Sequence, residues 1–185
     1  MNSEAFEIPK EVLSDSEKAY TYAREVLKTH DERLLKAVLP NPVYALKYAG
    51  NILKGHDERL LLAVCSDPRS IYNYALDVLM DNDDRLLEAI CIDPEYSFDY
   101  AKDILKGHDE RLLVAVCREP YFAYRYAAEV LIGHDERLLD AVCTDAECAY
   151  DYAKNILKKH DDRLFQAVSE DDYFLERYLN LFPNS

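Results

Sequence analysis

The stretch His56-Asp57-Glu58-Arg59-Leu60-Leu61 decides the fold, because the chain repeats it. The same six residues stand at 30–35, 108–113 and 134–139, and relaxed versions stand at 82–87 (Asn-Asp-Asp-Arg-Leu-Leu) and 160–165 (His-Asp-Asp-Arg-Leu-Phe). All six copies lie on a strict 26-residue spacing. A fixed period of this size is the signature of stacked supersecondary units, so one repeat domain is expected in place of the one or two globular domains that the length alone suggests.

Working outward from the stretch, each Asp (Asp31, Asp57, Asp83, Asp109, Asp135, Asp161) reads as the N-cap of a short helix. The carboxylate can accept from orphan N–H groups, and the acid that follows favours the positive helix end. Leu-Leu-x-Ala-Val/Ile-Cys then supplies an apolar face, as in Leu60-Leu61-Leu62-Ala63-Val64-Cys65. A helix of roughly eight residues cannot stand alone, so it must pack on neighbours.

Between these helices lies a longer one, which opens at Asn41-Pro42, Asp67-Pro68, Asp93-Pro94 and Glu119-Pro120. Proline at the first helical position gives up no needed donor. The helix runs through a Tyr-Ala pair at Tyr22, Tyr48, Tyr74, Tyr100, Tyr126 and Tyr152, and glycine at Gly55, Gly107 and Gly133 is the expected C-terminal stop.

The ends depart from the pattern. Residues 8–13 read as a short capping helix with Pro9 in its first turn, Asp15 begins the regular units, and 173–182 reads as a last helix before a frayed Pro183-Asn184-Ser185 tail. The expected architecture is all-α: a right-handed α-solenoid of six two-helix repeats (15–40, 41–66, 67–92, 93–118, 119–144, 145–169), with an N-terminal cap at 1–14 and a C-terminal capping helix and tail at 170–185.

The rhythm of Tyr-Ala-x-x-x-Leu, then Asp, then Ala-Val-x-x-Asn/Asp-Pro resembles that of an uncharacterised bacterial tandem-repeat family with units of about 25 residues. The portion Asp57…Ala63-Val64…Asp67-Pro68 is also similar to leucine-rich-repeat variants and HEAT-like helical repeats. The resemblance covers about residues 15–180 and rests on core and cap positions. It implies an α-solenoid and brings no catalytic residues, cofactor or partner with it. The near-invariance of His-Asp-Glu-Arg-Leu-Leu departs from those looser patterns.

Composition narrows the function classes. The chain carries 22 Lys and Arg against 36 Asp and Glu, a net charge of −14, which repels phosphate backbones and disfavours direct nucleic-acid binding. The opening Met1-Asn-Ser-Glu-Ala-Phe lacks the basic and apolar regions of a signal peptide, and no apolar run approaches membrane length. Cys65, Cys91, Cys117 and Cys143 share one repeat position, so a full repeat step of about 9–10 Å keeps them beyond disulfide reach. They read as small core residues of a cytoplasmic protein.

Adjacent His and Asp invite a metal reading, but the pairs recur at every step with no unique convergence, so they are expected to be caps and connectors, with no metal or cofactor. The six arginines Arg33, Arg59, Arg85, Arg111, Arg137 and Arg163 suggest a ladder in which each reaches the Asp of an adjacent unit, its rungs including Asp57/Arg59, Asp83/Arg85, Asp109/Arg111 and Asp135/Arg137. Of tyrosine doublets such as Tyr72/Tyr74, Tyr124/Tyr126 and Tyr150/Tyr152, one member is expected to flank the core and the other to line a groove with its hydroxyl in water.

Recurrence marks what the scaffold needs, and variation marks where recognition can be written. The most variable outward position of the short helix reads Lys36, Leu62, Glu88, Val114, Asp140 and Gln166, and this row is the candidate partner-binding surface, with Leu62 and Val114 as apolar anchors. The expected function is a non-enzymatic protein-interaction module or scaffold whose acidic, Tyr-rich groove receives a protein with a basic patch. The alternative is an acidic inhibitor that imitates nucleic acid toward a DNA- or RNA-binding protein. No nucleophile-base pair, phosphate loop or unique acid cluster points to an enzyme.

Overall fold

The computed structural model describes residues 7–183. The residues 1–6 of the expected N-terminal cap and signal-free start, and Asn184 and Ser185 of the expected tail, lie outside the described residues. Every described regular element is a helix, and helix pairs recur with the sequence period, giving an all-α fold of the α-solenoid type. The chain packs as two compact units, Met1–Ala89 and Ile90–Ser185.

In the unit Met1–Ala89 a short helix, Lys10–Leu13, precedes the first pair. Pro9 sits at its N-cap position and not inside its first turn. The long helices begin as Ser16–Thr21, Pro42–Tyr48 and Pro68–Asn73, and the short second helices are Glu32–Val38 and Glu58–Val64. Ser16–Thr21 and Pro42–Tyr48 each pack on the second helix of their own repeat and on the long helix of the next. The shared core is Leu34, Leu35 and Val38 with Leu60, Leu61 and Val64, closed by Ala45, Tyr48, Ile71 and Tyr74, all fully buried. Each such side chain contributes about 1.5–3 kcal/mol, and the two-leucine, one-valine pattern fits the single buried stripe of a two-turn helix.

In the unit Ile90–Ser185 the long helices begin as Pro94–Asp99, Pro120–Arg125 and Ala146–Asp151, the second helices are Glu110–Val116, Glu136–Val142 and Asp162–Val168, and Asp172–Leu181 ends the stack. Leu112, Leu113, Val116, Leu138, Leu139, Val142, Leu164 and Val168 repeat the same core. Tyr178 of the last helix is buried like Tyr126 and Tyr152, so this helix completes the core of the repeat before it.

The caps follow side-chain chemistry closely. Asn41, Asp67 and Asp93 accept from first-turn amides ahead of proline, and Asp145 does so without proline. Glu119 makes no such bond, contrary to its reading as a cap: its longer side chain does not return to the amides as Asp or Asn does. On the second helices Asp31, Asp57, Asp109, Asp135 and Asp161 each accept from the amide of the following Arg.

The long helices change their hydrogen-bond step halfway. From the recurring tyrosine onward they continue as π-helix: Tyr22–Leu27, Ala49–Leu53, Tyr74–Leu79, Tyr100–Leu105, Tyr126–Leu131 and Tyr152–Leu157. Each then stops at a left-handed residue, and here the glycine expectation is corrected. The reversing residues are Lys28, Lys54, Met80, Lys106, Ile132 and Lys158, at φ of 52 to 56°, whereas none of the four glycines has a positive φ. Gly55, Gly107 and Gly133 come one residue later and donate back to the carbonyls of Ala49, Ala101 and Ala127 at 3.2, 3.1 and 3.0 Å. A Schellman ending closes five residues back; after these π-helical turns the bond closes six residues back, one longer, and the left-handed residue stands just before the glycine.

A β-branched residue held left-handed carries backbone strain of about 1–2 kcal/mol. Ile132 is 82% exposed, so it recovers little of this by packing. Ile132→Gly is therefore expected to raise stability by about 0.5–1 kcal/mol, after allowing for the greater freedom of glycine in the unfolded chain. Urea unfolding reads this as a higher midpoint at unchanged slope, and a lower midpoint contradicts the assignment.

Candidate functional site

Two regions carry chemistry: the joint where one repeat meets the next, and the outward row of the second helices.

The joint is built around the recurring tyrosine. Tyr126 is fully buried, and its hydroxyl reaches back 17 residues to the start of the preceding second helix. There it accepts the Asp109 amide at 3.1 Å and donates to the Asp109 carbonyl at 3.2 Å. Tyr48 does the same to Asp31, Tyr74 to Asp57, Tyr152 to Asp135 and Tyr178 to Asp161, at 3.1 to 3.2 Å throughout. One phenol thus gives the capping residue's amide, which lies outside either helix ladder, its acceptor, and adds a second donor to a carbonyl that already accepts the first bond of its helix, as Asp109 does from Leu113; an apolar ring could do neither. Burial pushes the Tyr126 and Tyr152 phenols up to about 12, which keeps the donated proton in place.

Histidine extends the joint to the surface. His108 Nδ1 lies 3.2 Å from the Tyr126 hydroxyl and its Nε2 lies 3.2 Å from Glu110 Oε1. His30, His56 and His134 are spanned between phenol and carboxylate in the same way, and His160 between Tyr178 and Asp162. Both ring nitrogens face partners inside the joint. Among the described residues no three His, Cys, Asp or Glu side chains converge to hold a metal ion.

The arginine ladder exists, but its rungs differ from the expected ones. Each Asp pairs within its own repeat: Arg59 with Asp57 at 2.9 Å, Arg85 with Asp83 at 2.9 Å, Arg111 with Asp109 at 3.1 Å and Arg137 with Asp135 at 3.0 Å. The link between repeats goes to the glutamate of the preceding stretch. Arg59 reaches Glu32 at 2.8 Å, Arg85 reaches Glu58, Arg137 reaches Glu110 at 2.7 Å, and Arg163 reaches Glu136 at 2.8 Å. The reason is competition: Asp is already drawn onto the helix amides beside its own Arg, while Glu at the first helical position stays exposed and free to lean forward. Arg163 adds a contact to Asp140 at 2.8 Å.

The tyrosine doublets also resolve differently from expectation. The recurring member, Tyr74, Tyr126 or Tyr152, is core as expected, with its hydroxyl bonded to backbone. The other member is buried at Tyr20 and Tyr150 and half-buried at Tyr72 and Tyr124. Asn51 donates to the Tyr20 hydroxyl at 3.0 Å and Asn155 to the Tyr124 hydroxyl at 2.9 Å. Arg125 lies over the Phe98 and Tyr121 rings at 4.2 and 5.7 Å, and Arg177 lies over Tyr150 and Tyr173 at 5.0 and 5.1 Å. All five cysteines are free thiols. Burial pushes Cys117 and Cys143 up to about 11 and Cys148 to about 12, so they are poor nucleophiles at neutral pH.

The outward row lies on the opposite side of the second helices from their core leucines. Lys36, Leu62 and Glu88 in one unit, and Val114, Asp140 and Gln166 in the other, are all exposed. Leu62 is 59% and Val114 57% exposed. Ile92 is also exposed, and Arg118, one turn along from Val114, donates to the Cys91 and Ile92 carbonyls. Among the described residues no helix is long and apolar enough to cross a membrane.

Compared with family profiles, curated proteins and solved structures, the chain matches none.

Two outcomes test the joint. Tyr126→Phe keeps the ring and strands the Asp109 amide, while the Asp109 carbonyl keeps its bond from the Leu113 amide, so it should cost about 1–3 kcal/mol by urea unfolding; a loss below about 0.5 kcal/mol would mean that water replaces the phenol. The second outcome concerns acid. Hydrogen bonds from Arg111 and Arg137 hold the Asp109 and Asp135 carboxyls below the usual carboxylate range. Stability from such depressed groups is fully present above the unfolded value of about 3.9 and is lost as pH falls through the lower folded value. Stability should therefore be level between about pH 7 and 5 and decline below about pH 4, and Arg137→Gln should shrink that decline. An undiminished decline in the variant would show that this pair carries none of it.

Proposed function

We propose that the chain is a non-enzymatic interaction module whose second helices present their outward row to a protein partner. The observation that carries this reading is the pair Leu62 and Val114, apolar and more than half exposed at a repeat position otherwise held by Lys36, Glu88, Asp140 and Gln166. The other side of each helix is committed to the core, which leaves these side chains no intramolecular use. Large apolar side chains surrounded by polar ones are the usual make-up of an interface anchor. The net charge of −14 favours a partner with a basic surface and steers its approach.

The recurring side chains support a scaffold reading over a catalytic one. His, Asp, Glu, Arg and Tyr repeat at each joint and are engaged with one another. Inert thiols and recurring His–Asp pairs fit a structural role within a reducing compartment. The resemblance to uncharacterised bacterial tandem repeats fits the same reading and contributes no partner.

Imitation of nucleic acid is the weaker reading. It would need a regular array of free negative charge, and the most regular carboxylates, Glu32, Glu58, Glu110 and Glu136, are each answered by an arginine of the next repeat.

Affinity capture from the native host tests the proposal, with Leu62→Glu and Val114→Glu as probes. Both sites are exposed, so each variant should keep its helical circular dichroism while partner affinity falls about tenfold or more, as for a central anchor. Undiminished capture by both variants contradicts the proposed face, and competition by added nucleic acid would favour the mimic instead.

A further inference from the structure

In the unit Met1–Ala89, the carboxyl-terminal ends of the first two long helices enclose an open cleft of about 460 Å³ lined by Arg24, Lys28, Thr29, Asn51, Ile52 and Lys54. Three cations around one cleft stand out in a chain with 36 acidic residues against 22 basic ones. Lysine at this position has a bland explanation, since it answers the negative end of a helix and recurs at Lys106 and Lys158. That explanation does not cover Arg24, Thr29 or Asn51.

The repeat provides its own controls. At the position of Asn51 the other repeats carry Glu25, Asp77, Asp103, Glu129 and Asn155, so an amide replaces a carboxylate only twice. Both amides are fixed in the same way, by donating to a tyrosine hydroxyl of the preceding repeat: Asn51 to Tyr20 at 3.0 Å and Asn155 to Tyr124 at 2.9 Å. Around Asn155, in the other unit, there is a matching cleft of about 320 Å³. There Ala128 stands for Arg24, Ile132 for Lys28 and Gly133 for Thr29, and of the cations only Lys158 remains. The two clefts share a scaffold, and one of them has been given cations and a hydroxyl. Glu25 pairs with Arg24 at 2.6 Å and offsets one charge, and the two negative helix ends offset part of the lysines', which leaves the cleft with an excess of about one positive charge.

We propose that this cleft binds a phosphate-class oxyanion, either free phosphate or the phosphoryl group of a modified side chain. Two ammonium groups, a guanidinium and a hydroxyl supply the donors such an anion takes, and the amide removes the carboxylate that would repel it. The site is separate from the outward row of the second helices and does not depend on the proposal made for it.

The test is calorimetric titration of the full chain with inorganic phosphate, with ionic strength held constant by sodium chloride. A phosphoserine peptide and its unphosphorylated form are titrated in parallel. Saturable binding of one anion per chain is expected, weakened at least about fivefold in Lys28→Gln/Lys54→Gln and unchanged in Lys158→Gln. All three lysines are exposed, so circular dichroism should confirm that the variants fold. Binding of phosphate identifies a free-anion site, and binding of the phosphopeptide alone identifies a modified side chain as the ligand. No saturable binding of either, equal binding of the unphosphorylated peptide, or equal weakening in Lys158→Gln overturns the proposal.

Discussion

A buried tyrosine hydroxyl placed on the backbone of the preceding repeat is the interaction on which the rest of the structure depends. An aspartate that caps a helix gives its carbonyl to the first bond of the ladder but has its own amide outside it, and in a tight joint that amide is costly if left unmatched. Tyr48, Tyr74, Tyr126, Tyr152 and Tyr178 each meet that need from the next repeat while filling the core with a ring. The bond links three requirements: the cap fixes the second helix, the phenol fixes the cap, and the ring fixes the next long helix.

The remaining joint contacts grade outward from this centre. Histidine bridges the phenol to the following carboxylate, and that carboxylate reaches the arginine of the next repeat. These outer pairs are exposed to solvent and screened, so each contributes about 0–1 kcal/mol, against about 1–3 kcal/mol at stake if the inner aspartate amide loses its partner. The ladder therefore sets the angle between neighbouring repeats more than it holds them together. Recurrence in sequence follows the same grading: tyrosine and aspartate stand in every copy, whereas histidine gives way to Asn82 once and glutamate to Asp84 and Asp162.

Much of this was legible in the sequence because it is local. The period, the Asp caps, the Pro42, Pro68, Pro94 and Pro120 starts and the Leu-Leu-x-Ala-Val faces are set by neighbours within one helix. What escaped was set across repeats. Glu110 as the partner of Arg137 lies 27 residues away, and no local rule separates it from the nearer Asp135. Nor does composition reveal that a π-helical ending places the reversal at Lys54 and Ile132, one residue ahead of Gly55 and Gly133. The sequence does carry a signal of the tyrosine joint: the recurring tyrosine stands 17 residues after the capping aspartate at every joint. The outward row was readable as variable, but variation says where recognition can be written and not what is recognised.

The central claim is tested most directly by hydrogen exchange of the aspartate amides in the native protein. The Asp109 amide lies outside any helix ladder and, without the phenol, would exchange at the rate of an open loop. With the phenol as acceptor it should be slowed about tenfold to a hundredfold relative to the amide of Glu110, which at the first position of its helix has no intrahelical acceptor. Asp31, Asp57, Asp135 and Asp161 should show the same contrast with the residue that follows each. Exchange of these aspartate amides at open-loop rates would contradict the account.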